Sequence, residues 1–365
     1  MKNVIGDNLT LTIFGESHGD AVGAVLDGLS AGVEVDRDFL SLQMSLRKAV
    51  GSISTSRTEA DEVEILSGVF NGKTTGTPIT FLIKNSNKRS GDYEKSKSLL
   101  RPGHADYTAY CKYNGFQDYR GGGHFSGRIT AGIVAAGAVC LDALRKKGIY
   151  IASHISLLKG VTDDKIQDYN EFSKTLSDKP FPVINDEVGN RMVSEIEKAK
   201  ENGDSLGGIL ETVVTGVPAG VGEPWFSSVE SDLARFLFSI PAVKGVEFGA
   251  GFSFASMLGS EANDAFCVED RTIKTETNNN GGINGGITNG MPIVFRTVIK
   301  PTPSISKPQK TVDINTMEET ELSVKGRHDP AIIHRARAVV NAATAICLSD
   351  MLIGKFGSDY FGGNE

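Results

Sequence analysis

Three consecutive glycines constrain this chain more than any other feature of its sequence. They occupy positions 121–123 and stand directly before a run rich in alanine, glycine and aliphatic residues that continues to Gly148. The apolar residues of that run recur at helical spacing, which predicts a helix that begins at Ser126 or Gly127 and ends in a basic last turn. Because a helix start presents free N–H groups and the positive end of the helix dipole, this position favours an anion.

Arg128 stands in the first turn of the predicted helix, where the helix dipole would favour an acidic residue. We therefore predict that an anionic ligand offsets its charge. Taken alone, the glycines are also typical of an ordinary turn before an alanine-rich core helix. The residues that precede them, above all His104 and Asp106, favour a functional site instead.

The distribution of candidate residues bears on the domain organisation. The chain has 365 residues, and the polar residues of interest are spread from His18 to Arg337. No Pro/Ser-rich linker and no internal repeat divides the sequence, so we predict one interleaved domain over residues 1–365. Strands and helices do not alternate regularly, which favours the α+β class, with antiparallel sheets packed against helices, over a doubly wound parallel sheet.

The composition excludes several classes of protein. With 38 basic and 45 acidic residues, the net charge of -7 argues against nonspecific nucleic-acid binding. No apolar run reaches the roughly 18 residues of a membrane span and the first residues lack a signal-peptide core, so we expect a cytoplasmic protein. The cysteines form no CxxC pair, so we expect small core side chains and no metal site. They are Cys111, Cys140, Cys267 and Cys347.

Apolar spacing, caps and breakers predict the remaining elements. Strands are expected at 9–14, 63–69, 79–83, 150–158, 207–217 and 293–299. Helices are expected at 36–49, 187–202, 229–238 and 331–352. Residues 85–98 are charged and aperiodic, as in a surface loop or lid, and residues 163–188 are expected to form a polar excursion. The glycine-rich residues 278–286 fit either a flexible loop or a backbone that lies against a flat ligand.

Seven short blocks, taken together, resemble the chorismate synthase family in order and spacing over essentially the whole chain. The blocks are GESHG at 15–19, RPGHADYT at 101–108, DYRGGG at 118–123, AVKGVE at 242–247, GGINGGI at 281–287, KPTPS at 300–304 and GRHDP at 326–330. The resemblance implies the last step of the shikimate pathway, in which 5-enolpyruvylshikimate 3-phosphate gives chorismate and phosphate. It also implies a requirement for reduced FMN without net redox change, with NADPH as a possible reductant, and a homotetramer of helix and antiparallel-sheet sandwiches.

Such a substrate carries a phosphate and two carboxylates, which planar guanidinium groups bind well. The candidate arginines are Arg47, Arg57, Arg128, Arg335 and Arg337. The resemblance implies that His18 is the acid at the phosphate, that His104 manages the charge of the reduced flavin, and that Asp329, with Ser17, passes the substrate proton to the flavin N5. By the same resemblance, the contacts to FMN come from His124, Phe125, Ser126, Pro241, Ala242, Gly285, Lys300, Pro301, Thr302, Pro303, Ser304 and Arg327.

Two loops depart from the family pattern. Residues 47–52 read Arg-Lys-Ala-Val-Gly-Ser where many members have Arg-Pro-Gly-x-Ser-Arg, and residues 124–126 read His-Phe-Ser in place of Arg-Ser-Ser. These departures leave a second hypothesis open, a flavin- or anion-binding homologue without the activity. A third, a phosphoryl-transfer enzyme that binds nucleotide phosphates at the helix start, is disfavoured because the chain lacks a GxxxxGK[ST] sequence.

Overall fold

A computed structural model of the chain describes residues 3–49, 51–54, 61–86, 97–175, 179–324 and 329–362. The strands of this part are β1 (Val4–Ile5), β2 (Thr10–Gly15), β3 (Ala21–Asp27), β4 (Val63–Ser67), β5 (Val69–Phe70), β6 (Lys73–Thr74), β7 (Ile79–Lys84), β8 (Tyr150–Leu158), β9 (Val161–Thr162), β10 (Gly208–Thr215), β11 (Val243–Phe248), β12 (Phe266–Glu269), β13 (Thr272–Thr275), β14 (Ile283–Asn284), β15 (Ile287–Thr288), β16 (Ile293–Ile299), β17 (Gln309–Asp313) and β18 (Glu318–Leu322). The helices are α1 (Arg37–Leu46), α2 (Asp106–Tyr113), α3 (Thr130–Lys146), α4 (Tyr169–Thr175), α5 (Asp186–Glu201), α6 (Val229–Phe238), α7 (Gly259–Ala262) and α8 (Ile333–Phe356).

The first of two larger sheets brings two connecting segments together at one end of its strands. Its strand order is β1-β2-β3-β7-β4, and every neighbouring pair is antiparallel. The β2–β3 connection is residues 16–20, and the register pairs Ala21 with Lys84 at the end of β7. Residues that directly follow β7 therefore lie beside the 16–20 loop.

The second sheet brings together two other predicted segments. Its order is β11-β16-β10-β8-β9, again antiparallel throughout. Val243, the first residue of β11, pairs with Ile299, the last residue of β16. Ala242 and Lys300 consequently meet, and the Lys300 amide donates to the Ala242 carbonyl over 2.9 Å.

Helices α3 and α8 pack against each other between the two sheets. Helix α3 contacts β2, β3 and β7, whereas α8 contacts β8 and β10. Glycines permit the close approach: a Cβ at Gly132 would lie 2.7 Å from the carbonyl oxygen of Gly23, and one at Gly137 would lie 2.6 Å from the Cα of Ala342. The predicted sandwich of helices and antiparallel sheets is confirmed.

Both central helices are long and apolar enough to cross a membrane. The windows that pass this test lie in 127–146 and 333–356, with mean hydropathies of 1.5 and 1.4, and each is 94% buried. Burial inside the chain is what distinguishes the core helix of a folded domain from a lipid-facing one. We therefore assign both to the core that lies between the sheets.

Most predicted elements agree with the structure, and two expectations are wrong. The 163–188 excursion contains helix α4, whose Phe172 and Ser173 are buried. Cys140 and Cys347 are buried as expected, but Cys111 is exposed on α2. Most of the predicted 85–98 loop, residues 87–96, lies outside the described residues.

His154 in β8 forms an ion network with acids of two neighbouring segments. Its Nδ1 lies 2.8 Å from Asp163 and its Nε2 lies 3.3 Å from Glu211, which also receives a hydrogen bond from Arg296. Burial opposes charging, but the hydrogen bonds to Asp163 and Glu211 outweigh it and raise the pKa of His154 above its usual value. Folding therefore favours the imidazolium form of His154 over the neutral ring.

This network predicts that stability falls as the medium becomes alkaline. A pKa that is raised in the folded state stabilises the protein fully at pH values below the pKa of the unfolded state, which is near 6.5. This stabilisation is lost as the pH rises through the pKa of the folded state. Each unit of difference between the two pKa values is worth about 1.4 kcal/mol. We expect the difference in free energy of unfolding between wild type and His154→Gln to shrink between about pH 6 and pH 9. Chemical denaturation across that range measures it, and a difference that stays constant or grows would contradict the assignment.

Candidate active site

The three glycines form a turn that lies against both predicted catalytic histidines. Their φ angles are 59°, 90° and 52°, a region that side chains disfavour. A Cβ at Gly121 would lie 2.5 Å from Nδ1 of His18, and a Cβ at Gly122 would lie 3.1 Å from Nε2 of His104. Since consecutive Cα atoms are about 3.8 Å apart, these contacts limit the separation of the two imidazoles to about 12 Å.

His18 and Ser17 are held in the 16–20 loop by the same turn. The Ser17 amide donates to the Gly123 carbonyl over 3.1 Å, and the Ser17 hydroxyl donates to the Arg120 carbonyl, also over 3.1 Å. Because that hydroxyl hydrogen is committed, Nδ1 of His18, at 3.0 Å, donates to Ser17 Oγ. The second ring nitrogen, Nε2, is then the one that can exchange a proton.

His104 is oriented by an acid two residues further on. Its Nδ1 lies 2.7 Å from a carboxylate oxygen of Asp106, which also binds Arg101 through Nε and Nη2 at 2.8 and 2.6 Å. Burial alone would raise the pKa of Asp106, but the hydrogen bonds from Arg101 and His104 hold it well below its usual range. A permanently ionised Asp106 fixes the His104 tautomer, so Nε2 faces the glycine turn.

Two of the predicted substrate arginines meet around an aspartate, and a third adjoins them. Asp61 binds Nη1 of Arg47 at 2.6 Å and Nη1 of Arg128. Arg335 joins the group because its Nε donates to the Arg47 carbonyl over 2.7 Å, and its Nη1 donates to Asp329, also over 2.7 Å. Burial lowers the pKa of Arg47 to about 10, with Asp61 opposing the shift and the positive charges of Arg335 and Arg128 adding to it.

The charge of Arg128, which the sequence assigned to an outside anion, is offset here by Asp61. Asp61 is a non-glycine residue with φ of 52°, so its backbone is held in a strained region by these contacts. The sequence analysis did not select Asp61, because no local motif marks it. Its contacts with Arg47 and Arg128 span 14 and 67 residues of chain.

Asn85 is a second functional candidate that the sequence analysis did not select. It follows β7 directly, and its side chain accepts from Nε of Arg128 and donates to carbonyls of the His18 loop. The signal that could have identified it is its place at the strand end, where polar side chains gather.

Not every predicted arginine joins the cluster. Arg337 lies two residues beyond Arg335, about 200° further round the helix, and donates to the Lys179 carbonyl. The structure thus separates Arg337 from Arg47 and Arg128. Arg57 and Arg327 lie outside the described residues.

The segments predicted to bind FMN divide into two groups. Lys300 Nζ donates to the Gly103 carbonyl beside His104, and Ala242 meets Lys300 through the backbone. Gly285 lies near the start of α6, because the carbonyl of the next residue, Gly286, accepts from the Val229 amide. Ala242 instead follows the end of α6. A ten-residue helix is about 15 Å long, so one group lies at each end of it. The first group contains His104, Pro241, Ala242 and Lys300, Pro301, Thr302, Pro303 and Ser304.

The 124–126 segment lies between the glycine turn and α3. His124 Nδ1 donates to the Gly15 carbonyl over 2.7 Å, and Ser126 Oγ accepts from the Arg128 amide over 3.3 Å. Phe125 is partly exposed, and its ring lies in an edge-to-face arrangement with that of Tyr113, with 6.2 Å between the ring centroids. This histidine therefore braces the end of β2.

The donors of residues 300–304 fit a phosphate monoester such as that of FMN. The Thr302 hydroxyl oxygen is buried, and no described residue is its hydrogen-bond partner. Lys300 supplies an ammonium group next to it in sequence, and the backbone of Thr302 is fixed by a hydrogen bond of 2.7 Å from Ser205. A buried hydroxyl for which the described residues supply no partner is suited to an anionic oxygen, and Lys300 supplies a positive charge in the same segment.

The described contacts link four candidate site residues, which are His18, His104, Arg128 and Asp329. His104 and His18 meet the glycine turn, Asn85 joins the His18 loop to Arg128, and Asp61, Arg47 and Arg335 continue the chain of contacts to Asp329. Chemically, the arrangement combines an anion-binding group of arginines with two oriented imidazoles and a carboxylate. Such a set can bind a polyanion and assist the departure of phosphate by proton transfer.

The chain is similar to known proteins over nearly its whole length. A family model described as chorismate synthase matches residues 9–353. The chorismate synthase of Thermococcus gammatolerans is 49% identical over 349 residues, which cover 95% of this chain and 97% of that protein. The chorismate synthase of Dehalococcoides mccartyi is 46% identical over 354 residues, 97% of each chain. A crystal structure of a chorismate synthase matches with a TM-score of 0.76 and 30% identity, covering 97% of this chain and 94% of the other.

Proposed function

This chain belongs to the chorismate synthase family, whose members are lyases of the shikimate pathway, and from that premise we propose that it eliminates phosphate from 5-enolpyruvylshikimate 3-phosphate to give chorismate. The reaction is a 1,4-anti elimination that requires reduced FMN without net redox change. The observation that supports this most strongly is the continuous set of contacts from His104 through His18 and Arg128 to Asp329.

The arginines bind and orient the substrate. Arg47, Arg128 and Arg335 carry three positive charges, and Asp61 and Asp329 supply two negative ones. The net charge of this group is +1, or +2 with a protonated His18, which has the sign that a substrate with a phosphate and two carboxylates requires. Rigid guanidinium groups held by several partners each lose little entropy when the substrate binds.

His18 donates a proton to the leaving phosphate. Ser17 binds Nδ1 of His18, so the proposed proton donor is Nε2. Imidazole is the side chain most often used as a general acid in enzymes. The negative charge that develops on the leaving oxygens is stabilised by the neighbouring Arg128.

His104 and residues 300–304 are the groups that would hold FMN. When bound, reduced FMN would lend electron density that assists cleavage of the C–O bond to phosphate, and this density would return when the C–H bond breaks, so that no net redox change results. The ammonium of Lys300 and the hydroxyl of Thr302 fit its phosphate, and His104, fixed by ionised Asp106, offers Nε2 to the negative charge of the reduced ring. Asp329, held at 2.7 Å by Arg335, accepts the substrate proton in the proposed relay with Ser17.

We propose a homotetramer in the cytoplasm as the working form. Several large apolar side chains are almost fully exposed: Phe226 is 95% exposed, Phe252 85% and Trp225 83%. Apolar patches of this kind are typical of surfaces that a partner covers. A neighbouring protomer would also explain why Gly285 lies at the far end of α6 from Lys300, since a second copy can bring the two groups of flavin contacts together. Light scattering of the purified protein measures the assembly.

Anaerobic turnover tests the proposed activity. Incubation with 5-enolpyruvylshikimate 3-phosphate and dithionite-reduced FMN should release chorismate and phosphate in equal amounts. Flavin and phosphate-ester binding without product would favour the alternative, a binding homologue without this activity. A parallel aerobic assay with FMN and NADPH shows whether the chain reduces its own flavin.

Replacing His104 should lower turnover without unfolding the protein. We expect His104→Ala to reduce kcat by about 100-fold or more, because loss of a positioned acid–base group typically costs that much. Tyr107→Phe is the control, since Tyr107 is 58% exposed on the same segment. Single-turnover absorbance of chorismate formation measures the effect, and a folded His104→Ala protein that turns over at the wild-type rate would contradict the assigned role.

A further inference from the structure

We propose that Asn85 is a positioning residue that fixes Arg128 relative to His18, so that the leaving phosphate and its proton donor are aligned. The inference rests on the proposed elimination activity and assigns a role to a residue that no motif marks. It concerns a polar side chain whose hydrogen bonds join the arginine cluster directly to the histidine loop.

The contacts of Asn85 involve every polar atom of its side chain. Its Nδ2 donates to the carbonyls of Glu16 and Gly19 over 3.0 and 2.9 Å. Its Oδ1 accepts from Nε of Arg128 over 2.9 Å. The backbone amide of Asn85 donates to the Asp20 carbonyl over 3.0 Å. With 7% of its surface exposed, Asn85 makes these bonds away from solvent.

The orientation of the Asn85 amide follows from its partners. Two carbonyl oxygens on one side require a donor with two hydrogens, and a guanidinium N–H on the other requires an acceptor. The reversed amide would oppose like groups on both sides. Asparagine is the side chain of this size that offers both functions, whereas aspartate would oppose the two carbonyls and alanine would make neither contact.

The Arg128 guanidinium is in turn fixed on three sides. Nε binds Asn85, Nη1 binds Asp61, and Nη2 donates to the Lys84 carbonyl over 3.2 Å. Asp61 and Lys84 also hold Arg128 in the anion-binding cluster. Asn85 adds the connection to the 16–20 loop, which carries His18. Loss of that connection should disturb proton transfer more than substrate binding.

Asn85→Asp separates the two functions, because it retains an acceptor for Arg128 and removes both donors to the loop. With 5-enolpyruvylshikimate 3-phosphate and reduced FMN, we expect kcat to fall by about 100-fold, as for a displaced catalytic group, and KM to change by less than about 3-fold. We also expect the limb of the pH profile of kcat that reports the general acid to shift. Asn71→Asp is the matched control, because Asn71 is exposed in the turn between β5 and β6, with a φ of 49° that aspartate also tolerates.

Asn85→Ala, which also removes the acceptor for Arg128, should lower kcat and raise KM together, and it replaces Asn85→Asp if that protein does not fold. A wild-type kcat in folded Asn85→Asp, or a fall in kcat/KM that comes entirely from KM, would overturn the inference. If wild type itself makes no chorismate, the proposed function fails. If wild type makes chorismate and the Asn85 variants are as active as wild type, the proposed function stands and only the role of Asn85 is refuted.

Discussion

Gly121→Ala should lose most of its activity while it keeps its fold. The added Cβ would lie 2.5 Å from Nδ1 of His18 and 2.8 Å from Oγ of Ser17, distances that require one of these groups to move. The φ of 59° adds strain of about 1–2 kcal/mol for any residue with a side chain. Since a displacement of about 1 Å at a reacting group can cost about 100-fold, we expect kcat to fall by that factor or more.

Gly127→Ala is the matched control for this substitution. It lies in the same segment, no atom lies within 4 Å of its added Cβ, and its φ is not positive. We expect its kcat to stay within about 2-fold of wild type, as for a tolerated surface change. Equal losses in the two variants, or none in Gly121→Ala, would show that the turn does not position His18. Circular dichroism and thermal unfolding establish that each variant is folded.

The fold could be predicted from the sequence where one face of an element is buried. Helix α3 and strands β8 and β16 have continuous apolar patterns, and their predicted positions agree closely with the structure. The hairpin of β17 and β18 could not be predicted, because most of its residues are exposed or half-buried and carry no period-2 pattern. Helix α4 was missed for the same reason, since only two of its seven residues are buried.

The candidate site shows a similar division between local and distant signals. His18, His104 and Arg128 stand in glycine-bounded motifs, so the sequence alone selects them. Asp61 and Asn85 have no such context, and their contacts with Arg128 span 67 and 43 residues. Those contacts arise from the register of β3, β7 and β4 in the first sheet, which a single sequence does not specify.

Asp61→Ala should be the most destabilising single change among the site residues. The side chains of Asp61, Arg47 and Arg128 are 3%, 8% and 7% exposed, so removing the acid leaves two buried guanidinium groups without their shared counter-charge. Breaking a buried ion pair from one side typically costs about 3–5 kcal/mol, and we expect a loss of that size in the free energy of unfolding. The free energy of unfolding of Asp61→Asn should lie between those of wild type and Asp61→Ala, because asparagine keeps the side-chain volume and one hydrogen-bond acceptor.

Glu64→Ala is the control for loss of an acid from the same sheet. Glu64 pairs with Lys84 at 2.7 Å, but the two side chains are 46% and 70% exposed, so we expect a cost below about 1 kcal/mol. Inorganic phosphate should raise the Tm of Asp61→Ala more than that of wild type, because the anion can replace the missing carboxylate between Arg47 and Arg128. Equal stability losses for Asp61→Ala and Glu64→Ala, with no added response to phosphate, would show that these arginines do not form an anion site.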